Sequence, residues 1–388
     1  MKKVDLLIKN GHVIDTLQGI SEVKDIGIVG NQIVELNGDE SANQIVHADG
    51  CYVVPGLIDY HVHSFFGGTK GGMHPDFMLP VGITSIVDQG SAGYADFESY
   101  YRVIATNSFV RSKAFLAVSP TGLIIPGLAE EAYEPKYINE TRIASLVKKY
   151  PDYIQGLKVK ISNGYHDYDG YGGADALKRT VELADKLGNG LRVYVHVVNP
   201  PCSIDEIVDT LRPGDIFGHM YQGEADTILN EDGTIKESVK RARERGVIFD
   251  EANGRLNYDL EVCKKALEQG FLPDIISSDM SLLINKNYAG RYVRSFPYIM
   301  SKFLELGLSL EEIIRLTTEA PASYMGMTGQ IGTLRPGAFA DVAIFKLSDI
   351  THVQLDAHDR PLECHKLIVP QMTIHDGMIA YAAIDFDL

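Results

Sequence analysis

The chain has 388 residues, of which 45% are apolar and 23% are charged, so it can bury a sizeable core. This composition excludes an intrinsically disordered chain, and the length fits one large domain or two ordinary ones. Lysine and arginine number 36 against 52 for aspartate and glutamate, which gives a formal net charge of -16. Such a balance disfavours nucleic acids and anionic membranes as partners, because both require a basic surface.

The chain has four scattered cysteines and no Cys-x-x-Cys pair. Neither a disulfide framework nor a thiolate metal site is therefore indicated, and a reducing cytoplasm fits best. No run reaches the roughly 18 apolar residues of a membrane span, and Asp5 and Lys9 interrupt the first apolar run before it reaches the length of a secretory signal. We predict a cytoplasmic protein that acts on a small molecule, and a homo-oligomer is compatible with the sequence.

Residues 1–54 alternate apolar and polar side chains in short runs that predict antiparallel strands. Turns are predicted between the runs, at Asn10-Gly11 and Gly30-Asn31, because these dipeptides readily adopt turn conformations. The predicted strands are Val4–Lys9, Asp25–Val29 and Gln32–Leu36.

From Pro55 the pattern changes to short apolar runs separated by helical periodicity, which is typical of βαβ units and a parallel sheet. Eight strand–helix alternations predict a (β/α)₈ TIM barrel over residues 55–329. The predicted strands are Leu57–His63, Ile83–Asp88, Lys113–Val118, Ile154–Ser162, Leu191–Val197, Asp215–Tyr221, Val247–Asn253 and Asp274–Asp279. Helices are predicted at Ile204–Leu211, at Glu261–Glu268 and, as the last one, at Leu310–Leu316.

Alternation returns near the C-terminus, where Asp341–Phe345 and Gln371–Ile374 are predicted strands. Because both ends of the chain share this pattern, residues 1–54 and 330–388 are predicted to form one composite domain, a small β-sandwich beside the barrel. The predicted fold class is therefore α/β.

Candidate metal ligands lie at the ends of the predicted barrel strands. His61 and His63 are two residues apart, so in an extended strand both project to one face and could share a metal ion. His196 and His219 stand singly in later strands, where each alone could equally be a hydrogen-bonded core histidine. Because the C-terminal ends of barrel strands converge on one site, the four histidines together favour a metal centre.

Asp279 and two lysines are further candidates. Asp279 ends the eighth predicted strand, where a carboxylate could bind metal, accept a proton from metal-bound water, or cap a turn. Lys158 and Lys160 alternate with apolar residues, which fits either an exposed edge strand or, in a barrel covered on both faces, two ammonium groups pointing into the site. An ammonium beside metal cations would be repelled, but CO₂ addition to the Lys158 amine would create an anionic carbamate that can bridge two ions.

Three stretches resemble motifs of the amidohydrolase superfamily of metal-dependent hydrolases, and the similarity extends over nearly the whole chain. They are Pro55–His63 (PGLIDYHVH), Gly156–Lys160 (GLKVK) and Gly332–Asp341 (GTLRPGAFAD). Within the superfamily, Val81–Gly93 and Gln269–Asp274 resemble the dihydroorotase-like branch known as the amidohydrolase/deacetylase family. One departure is Glu251–Arg255 (EANGR), where relatives carry a glycine-rich segment beginning with histidine after the seventh strand.

The resemblance implies a binuclear centre for two divalent metal ions, with zinc foremost among the metals that suit these ligands. The implied ligands are His61, His63 and Asp279 for one ion, His196 and His219 for the other, and the carbamate of Lys158 as the bridge. Asp279 would also transfer the proton. On charge and position, Lys160 and Arg291 are candidate partners for a substrate carboxylate, although each could instead form a structural salt bridge.

We predict hydrolysis of an amide or ester bond by a metal-bridging hydroxide, with deacetylation of a small N-acetyl or O-acetyl carboxylic acid as the leading reaction. A cyclic amidase of the dihydroorotase or hydantoinase type would use the same ligands. Deamination of a base such as adenine is disfavoured, because related deaminases typically work with one metal and do not need the lysine. A non-catalytic barrel that only binds a ligand is disfavoured as well, because every implied metal position carries a suitable residue.

Overall fold

The computed structural model describes residues 3–69, 71–123, 131–163, 172–254, 257–281 and 295–386. Five strands open the chain: β1 (Lys3–Asp15), β2 (Ile20–Val29), β3 (Gln32–Val34), β4 (Ser41–His47) and β5 (Tyr52–Pro55). β1 pairs antiparallel with β2, and parallel with β4 and β5. Gly30-Asn31 forms the predicted turn, since the register of β2 and β3 pairs Val29 with Gln32.

The predicted turn at Asn10-Gly11 is wrong, because β1 continues through these residues. The register between β1 and β2 shifts between Ile8 and Gly11, which marks a bulge. Asn10 has φ 61°, and its backbone N–H donates to Asp25 Oδ1 at 3.0 Å. Asparagine tolerates the left-handed conformation that a turn or a bulge can require, so the dipeptide alone does not distinguish the two.

Seven parallel strands follow among the described residues, and they pair in sequence order. They are β6 (Leu57–Val62), β7 (Ile83–Gly93), β8 (Arg111–Ala117), β9 (Ile154–Ile161), β10 (Arg192–Val197), β11 (Ile216–Gly218) and β12 (Ile248–Asp250). Inward-facing side chains such as Tyr60, Phe115 and Tyr194 fill the barrel interior. The barrel is therefore a packed core with its site confined to one end.

The eighth predicted strand, Asp274–Asp279, closes the barrel through isolated bridges. Ile275 bridges Asp250 of β12, and Met280 bridges Val62 of β6.

A side chain interrupts the ladder at this seam. Asp59 accepts the backbone N–H of Ser278 at 2.9 Å and also its hydroxyl group. Asp279 then adopts φ 54°, outside the extended region. The segment therefore completes the barrel but does not form the continuous strand that its apolar pattern predicts.

The helices of the described residues surround the barrel strands. They are α1 (Phe97–Tyr100), α2 (Glu140–Lys149), α3 (Asp175–Leu187), α4 (Ile204–Thr210), α5 (Glu237–Arg245), α6 (Leu260–Glu268), α7 (Phe296–Glu305), α8 (Leu310–Thr317) and α9 (Glu319–Tyr324). A π-helical turn over Tyr101–Ala105 extends α1, and 3₁₀ turns occur at Pro75–Val81 and Pro135–Tyr137.

The helices predicted after Ser203 and Ser309 are present as α4 and α8, and a capping box between Ser309 and Glu312 starts α8. The prediction that α8 is the last helix is wrong, because α9 follows it. Pro321 lacks the N–H that would bond to the Thr317 carbonyl in one continuous helix, so the chain breaks and restarts. α9 then packs Ala322 and Met325 against the barrel interior.

The chain ends with β13 (Val342–Leu355), β14 (Pro361–His375) and β15 (Met378–Ala382). β13 lies between β5 and β14, so the described strands from both ends of the chain form one eight-stranded sheet. Its residues enclose a core of their own, which includes Ile8, Val53 and Ile344. This arrangement confirms the predicted fold class, while the domain boundaries at 54/55 and 329/330 stay predictions. Within the described ranges, no helix has the length and apolar character needed to cross a bilayer.

Candidate metal centre

Three predicted ligands lie together at the C-terminal end of the barrel. His61 is the penultimate residue of β6, His63 follows the strand, and Asp279 lies in the closing segment; candidate ligand atoms of the three lie within 4.8 Å of one another. Asp279 Oδ1 is 3.0 Å from His63 Nε2 and 3.4 Å from His61 Nε2. Two imidazole nitrogens and a carboxylate oxygen therefore surround one position.

His196 and His219 form a second pair beside the first. His219 Nε2 is 2.8 Å from His196 Nδ1, and the rings of His219 and His61 are 5.2 Å apart. His219 Nδ1 lies 2.7 Å from the carbonyl oxygen of Ala252. Because a carbonyl only accepts, Nδ1 carries the hydrogen, and the lone pair of His219 lies on Nε2, which faces the site.

Tyr194 orients His61 and was missed by the sequence analysis. Its hydroxyl group donates to Asp250 Oδ2 at 2.8 Å and lies 2.7 Å from His61 Nδ1. Since the single phenolic hydrogen goes to Asp250, the hydroxyl oxygen accepts the Nδ1 hydrogen of His61, which leaves the lone pair on Nε2. The one signal in the sequence is that Tyr194 precedes His196 by two residues and so shares its strand face.

Lys158 is buried in the same site. Its Nζ atom lies 3.7 Å from the centroid of the Tyr194 ring and has no hydrogen-bond partner among the described residues. Burial lowers the pKa of Lys158 to about 7, so a sizeable fraction of the amine is neutral near pH 7. A Cβ atom at Gly90 would lie 2.7 Å from Lys158 Cγ, so the glycine makes room for the lysine side chain.

Burial also sets the ionisation of the other groups. It lowers the pKa of His219 to about 4 and the pKa values of His61 and His196 well below the ordinary value. Burial opposes ionisation of Asp279, but its neighbours, with His63 first among them and then His219 and Lys158, lower the pKa of that carboxyl below its usual range. At neutral pH His61, His196 and His219 are therefore neutral and Asp279 is ionised, which are the forms that bind metals.

These groups fit a pair of divalent cations. The lone pairs of His61 and His219 point into the site, and His61 Nε2 is buried without a hydrogen-bond partner in the described part of the chain. The buried Lys158 amine is likewise without one. Buried polar atoms are almost always satisfied in folded proteins, so two unsatisfied atoms facing one site indicate that a bound group completes it.

Lys160 and Arg291 were the candidate partners for a substrate carboxylate. Lys160 Nζ lies 2.6 Å from Glu131 Oε1, and the hydroxyl group of Tyr133 donates to Glu131 Oε2 at 2.5 Å. The ammonium group is therefore already paired with a carboxylate, and its role towards a substrate stays a prediction. Arg291 lies outside the described residues.

Glu251, which follows β12, pairs with a lysine of α7. Its Oε1 atom accepts from Lys302 Nζ of α7 at 2.9 Å, and both side chains are buried. Lys302 also donates to Asn253 and lies 3.3 Å from the centroid of the Tyr258 ring. Nearby, Asn257 Nδ2 donates to Asp279 Oδ2 at 3.0 Å, so this segment contacts the metal-site carboxylate directly.

Comparisons with known proteins agree with this geometry. The sequence profile of the amidohydrolase family matches residues 52–380. A protein from Brucella anthropi named deacetylase is 30% identical over 332 residues, which cover 85% of this chain and 80% of that protein. The crystal structure of an adenine deaminase has a TM-score of 0.86 at 26% identity, and covers 98% of this chain and 100% of its own.

A crystal structure of a dihydroorotase is also similar, with a TM-score of 0.83, 26% identity, and coverage of 97% of this chain and 98% of its own. The residues matched by the family profile include strand β6, which contains His61, and the closing segment, which contains Asp279. The chain therefore belongs to the amidohydrolase family and is a hydrolase that acts on carbon–nitrogen bonds.

Proposed function

We propose that the protein is a binuclear metal-dependent deacetylase that removes the acetyl group from a small N-acetyl or O-acetyl carboxylic acid. One observation carries this proposal: four imidazoles, the Asp279 carboxylate and the unpartnered Lys158 amine converge at the open end of the barrel. The Brucella anthropi relative named deacetylase supports the choice of an acetyl group.

In this proposal His61, His63 and Asp279 hold one divalent cation, His196 and His219 hold the other, and zinc is the first candidate. When bound, such a pair lowers the pKa of water and polarises a carbonyl group, which is the chemistry that amide or ester hydrolysis requires.

Lys158 is the proposed bridge. Its neutral amine adds to CO₂, so that a nitrogen–carbon bond forms, one amine proton passes to solvent, and the side chain becomes an anionic carbamate. Three observations support this modification: the Nζ atom is buried, it has no hydrogen-bond partner within the described residues, and burial lowers the pKa of Lys158 to about 7. As an anion, the carbamate would be able to hold both cations where an ammonium group would repel them.

Asp279 is the proposed proton carrier. The attacking water forms a carbon–oxygen bond to the acetyl carbon and passes a proton to the Asp279 carboxylate. As the bond to the leaving nitrogen or oxygen breaks, Asp279 returns that proton to the leaving atom. The hydrogen bond from Asn257 to Oδ2 fixes the carboxylate orientation, with Oδ1 between His61 and His63.

The substrate carboxylate is assigned to Lys160, which already pairs with Glu131. An incoming carboxylate therefore shares the ammonium group with Glu131 or displaces it. This competition favours substrates whose carboxylate is well placed and weakens the binding of simple anions.

Cyclic amide hydrolysis is the second candidate, because the same donor set suits it and a solved dihydroorotase shares the fold at 26% identity. Adenine deamination ranks behind it, although a solved adenine deaminase is also similar. A buried lysine that is free to form a carbamate favours a two-cation site, which related deaminases do not typically need.

The deciding experiment combines metal content with a substrate panel. Protein reconstituted with divalent metal and bicarbonate is expected to hold about two metal ions per chain by elemental analysis. N-acetyl amino acids and O-acetyl hydroxy acids are expected to be hydrolysed, while dihydroorotate, hydantoins and adenine are not. A stoichiometry near one with turnover of adenine alone would overturn the proposal.

A further inference from the structure

His63 makes one contact that the metal site itself does not explain. β7 continues past its predicted end at Asp88, and the additional residues bring Ser91 against the histidine. Ser91 Oγ lies 3.2 Å from His63 Nδ1, and the serine is fully buried. The other ring nitrogen, Nε2, lies 3.0 Å from Asp279 Oδ1.

Asp88 determines the direction of the hydrogen bond between Ser91 and His63. Its carboxylate accepts the Ser91 N–H at 2.8 Å and the Ser91 hydroxyl at 2.7 Å. It also accepts the N–H and the hydroxyl of Ser64, both at 2.7 Å. A serine hydroxyl has one hydrogen, and a carboxylate only accepts, so the Ser91 hydrogen goes to Asp88. The oxygen of Ser91 must then accept a hydrogen from His63 Nδ1.

This hydrogen bond decides between two forms of the His63 ring. A neutral imidazole carries its hydrogen on Nδ1 or on Nε2, and only the first form leaves Nε2 free to bind a cation. Asp279 favours the second form, because its Oδ1 atom lies within hydrogen-bond distance of Nε2. Without Ser91, the ring could donate a hydrogen bond from Nε2 to Asp279 Oδ1. Both atoms would then be engaged with each other and could not bind a metal ion.

We infer that Ser91, oriented by Asp88, is a positioning residue that holds His63 in the form with a free Nε2 atom and so opposes the effect of Asp279. This inference rests on the proposed metal site. Hydrogen-bond partners of this kind typically change metal affinity 10- to 100-fold when they are removed.

The chain offers a matched control. Ser64 and Ser91 are both fully buried, and each hydroxyl donates to the same oxygen of Asp88 at 2.7 Å. Only the Ser91 hydroxyl also contacts His63. Ser64→Ala therefore removes an equivalent hydrogen bond from Asp88 and leaves the acceptor for His63 Nδ1 in place.

The test compares Ser91→Ala, Ser64→Ala and wild type by zinc titration against a competing chelator, and by ¹⁵N NMR of His63 in the metal-free protein. Ser91→Ala is expected to bind zinc about 10- to 100-fold more weakly and to shift the ring hydrogen from Nδ1 to Nε2. Ser64→Ala is expected to match wild type in both measurements. Equal loss of affinity in the two variants, or an unchanged His63 spectrum in Ser91→Ala, would overturn the inference.

The two proposals fail in different ways. If wild type binds two metal ions but hydrolyses no acetylated acid, the deacetylase proposal is wrong, while the NMR and zinc results for Ser91 stand. If Ser91→Ala binds zinc as wild type does and acetylated acids are hydrolysed, the Ser91 inference is wrong, and the deacetylase proposal stands.

Discussion

Asp279 occupies a backbone conformation that few residues adopt, and its neighbours accommodate it. Its φ of 54° lies in the left-handed region, which aspartate tolerates better than most side chains. Gly254 lies against it, where a Cβ atom would come within 2.7 Å of Asp279 Oδ2. The surrounding chain therefore holds the carboxylate between the two histidines, as expected where local strain serves a functional site.

We expect Asp279→Asn to reduce kcat by about 100- to 10,000-fold, because an amide cannot take up the proton released by water. KM is expected to change much less, since substrate binding does not use this proton transfer. Steady-state kinetics measure both values, and elemental analysis reports metal content alongside. A variant that keeps both metals and near-normal turnover would show that Asp279 is a ligand or a cap but no base.

The two lysines of β9 are expected to behave differently. Lys158→Ala is expected to lose metal and activity together. Added short carboxylic acids are expected to restore both in part, because they can occupy the place of the carbamate. Lys160→Ala is expected to keep its metals and to raise KM chiefly for substrates with a free carboxylate. Metal analysis and kinetics on paired substrates with and without the carboxylate test this. The opposite pattern would assign the carbamate to Lys160.

The convergence of the histidines, Asp279 and Lys158 could be predicted because the strand ends of a barrel meet at one site, whereas their roles as metal ligands stay predictions. Tyr194 and Ser91 were not predictable. Tyrosine and serine are ordinary strand residues, and their roles depend on which neighbouring atom their one hydrogen faces. The direction of that hydrogen bond depends on which atoms the folded chain brings next to the hydroxyl group, and the neighbouring sequence does not indicate it.

The same distinction applies to whole helices and strands: some are determined by residues nearby in sequence, and others depend on residues far away in sequence. α4 and α8 were predicted because serine caps and amphipathic spacing act within a few residues. α7 was not predicted, since the residues Phe296–Phe303 are all buried and lack a polar face. The seam segment was predicted as a strand from its apolar run, but the side chain of Asp59 takes over part of its hydrogen bonding.

α7 is anchored by Lys302, whose ammonium group is buried against Glu251. We expect Lys302→Met to lower the free energy of unfolding by about 3 to 5 kcal/mol, because it leaves the buried Glu251 carboxylate without its partner. Adding Glu251→Gln is expected to recover part of this loss. Chemical denaturation measures both variants.

Lys264→Met on α6 is the control, since that lysine is partly exposed and lies 3.9 Å from Glu261. This substitution is expected to lower the free energy of unfolding by less than about 1 kcal/mol. If Lys302→Met costs no more than Lys264→Met, the buried ion pair does not anchor α7.

At the scale of the whole molecule, a partly buried polar cluster joins the barrel to the terminal sheet. Arg111 at the start of β8 donates to Asp341 Oδ2 at 2.5 Å and to Asp376 Oδ1 at 3.1 Å. His375 Nδ1 lies 2.9 Å from Asp341 Oδ1, and Nε2 lies 2.7 Å from the Phe109 carbonyl oxygen. Both neighbours of the ring are acceptors, so His375 is held in its protonated form.

This cluster predicts a pH dependence of stability. Burial opposes the charged ring, but the hydrogen bond and charge of Asp341 raise the pKa of His375 above its ordinary value of 6.5. The folded state therefore binds this proton more tightly than the unfolded state does. The stabilisation is fully present below about pH 6.5 and is lost as the pH rises through the folded pKa.

We expect the difference in unfolding free energy between wild type and His375→Gln to be largest near pH 6 and to shrink towards pH 9. Denaturant unfolding at each pH measures it. His47→Gln is the control, because His47 is exposed on β4. A difference that stays constant with pH for His375→Gln would show that the ring is not protonated in the fold.

The similar alternation at the two ends of the chain was enough to predict that they share a domain. It could not predict that β5 and β13 lie side by side, because pairing between distant strands is decided by the complete fold. This adjacency has a consequence in time. Roughly 290 residues separate Pro55 from Val342, and at about 5 to 20 residues per second a ribosome needs roughly 15 to 60 seconds to synthesise them. During that interval the edge of β5 that will pair with β13 has no partner. The nascent chain therefore exposes an unpaired strand edge, to which a chaperone can bind and with which another nascent chain can pair.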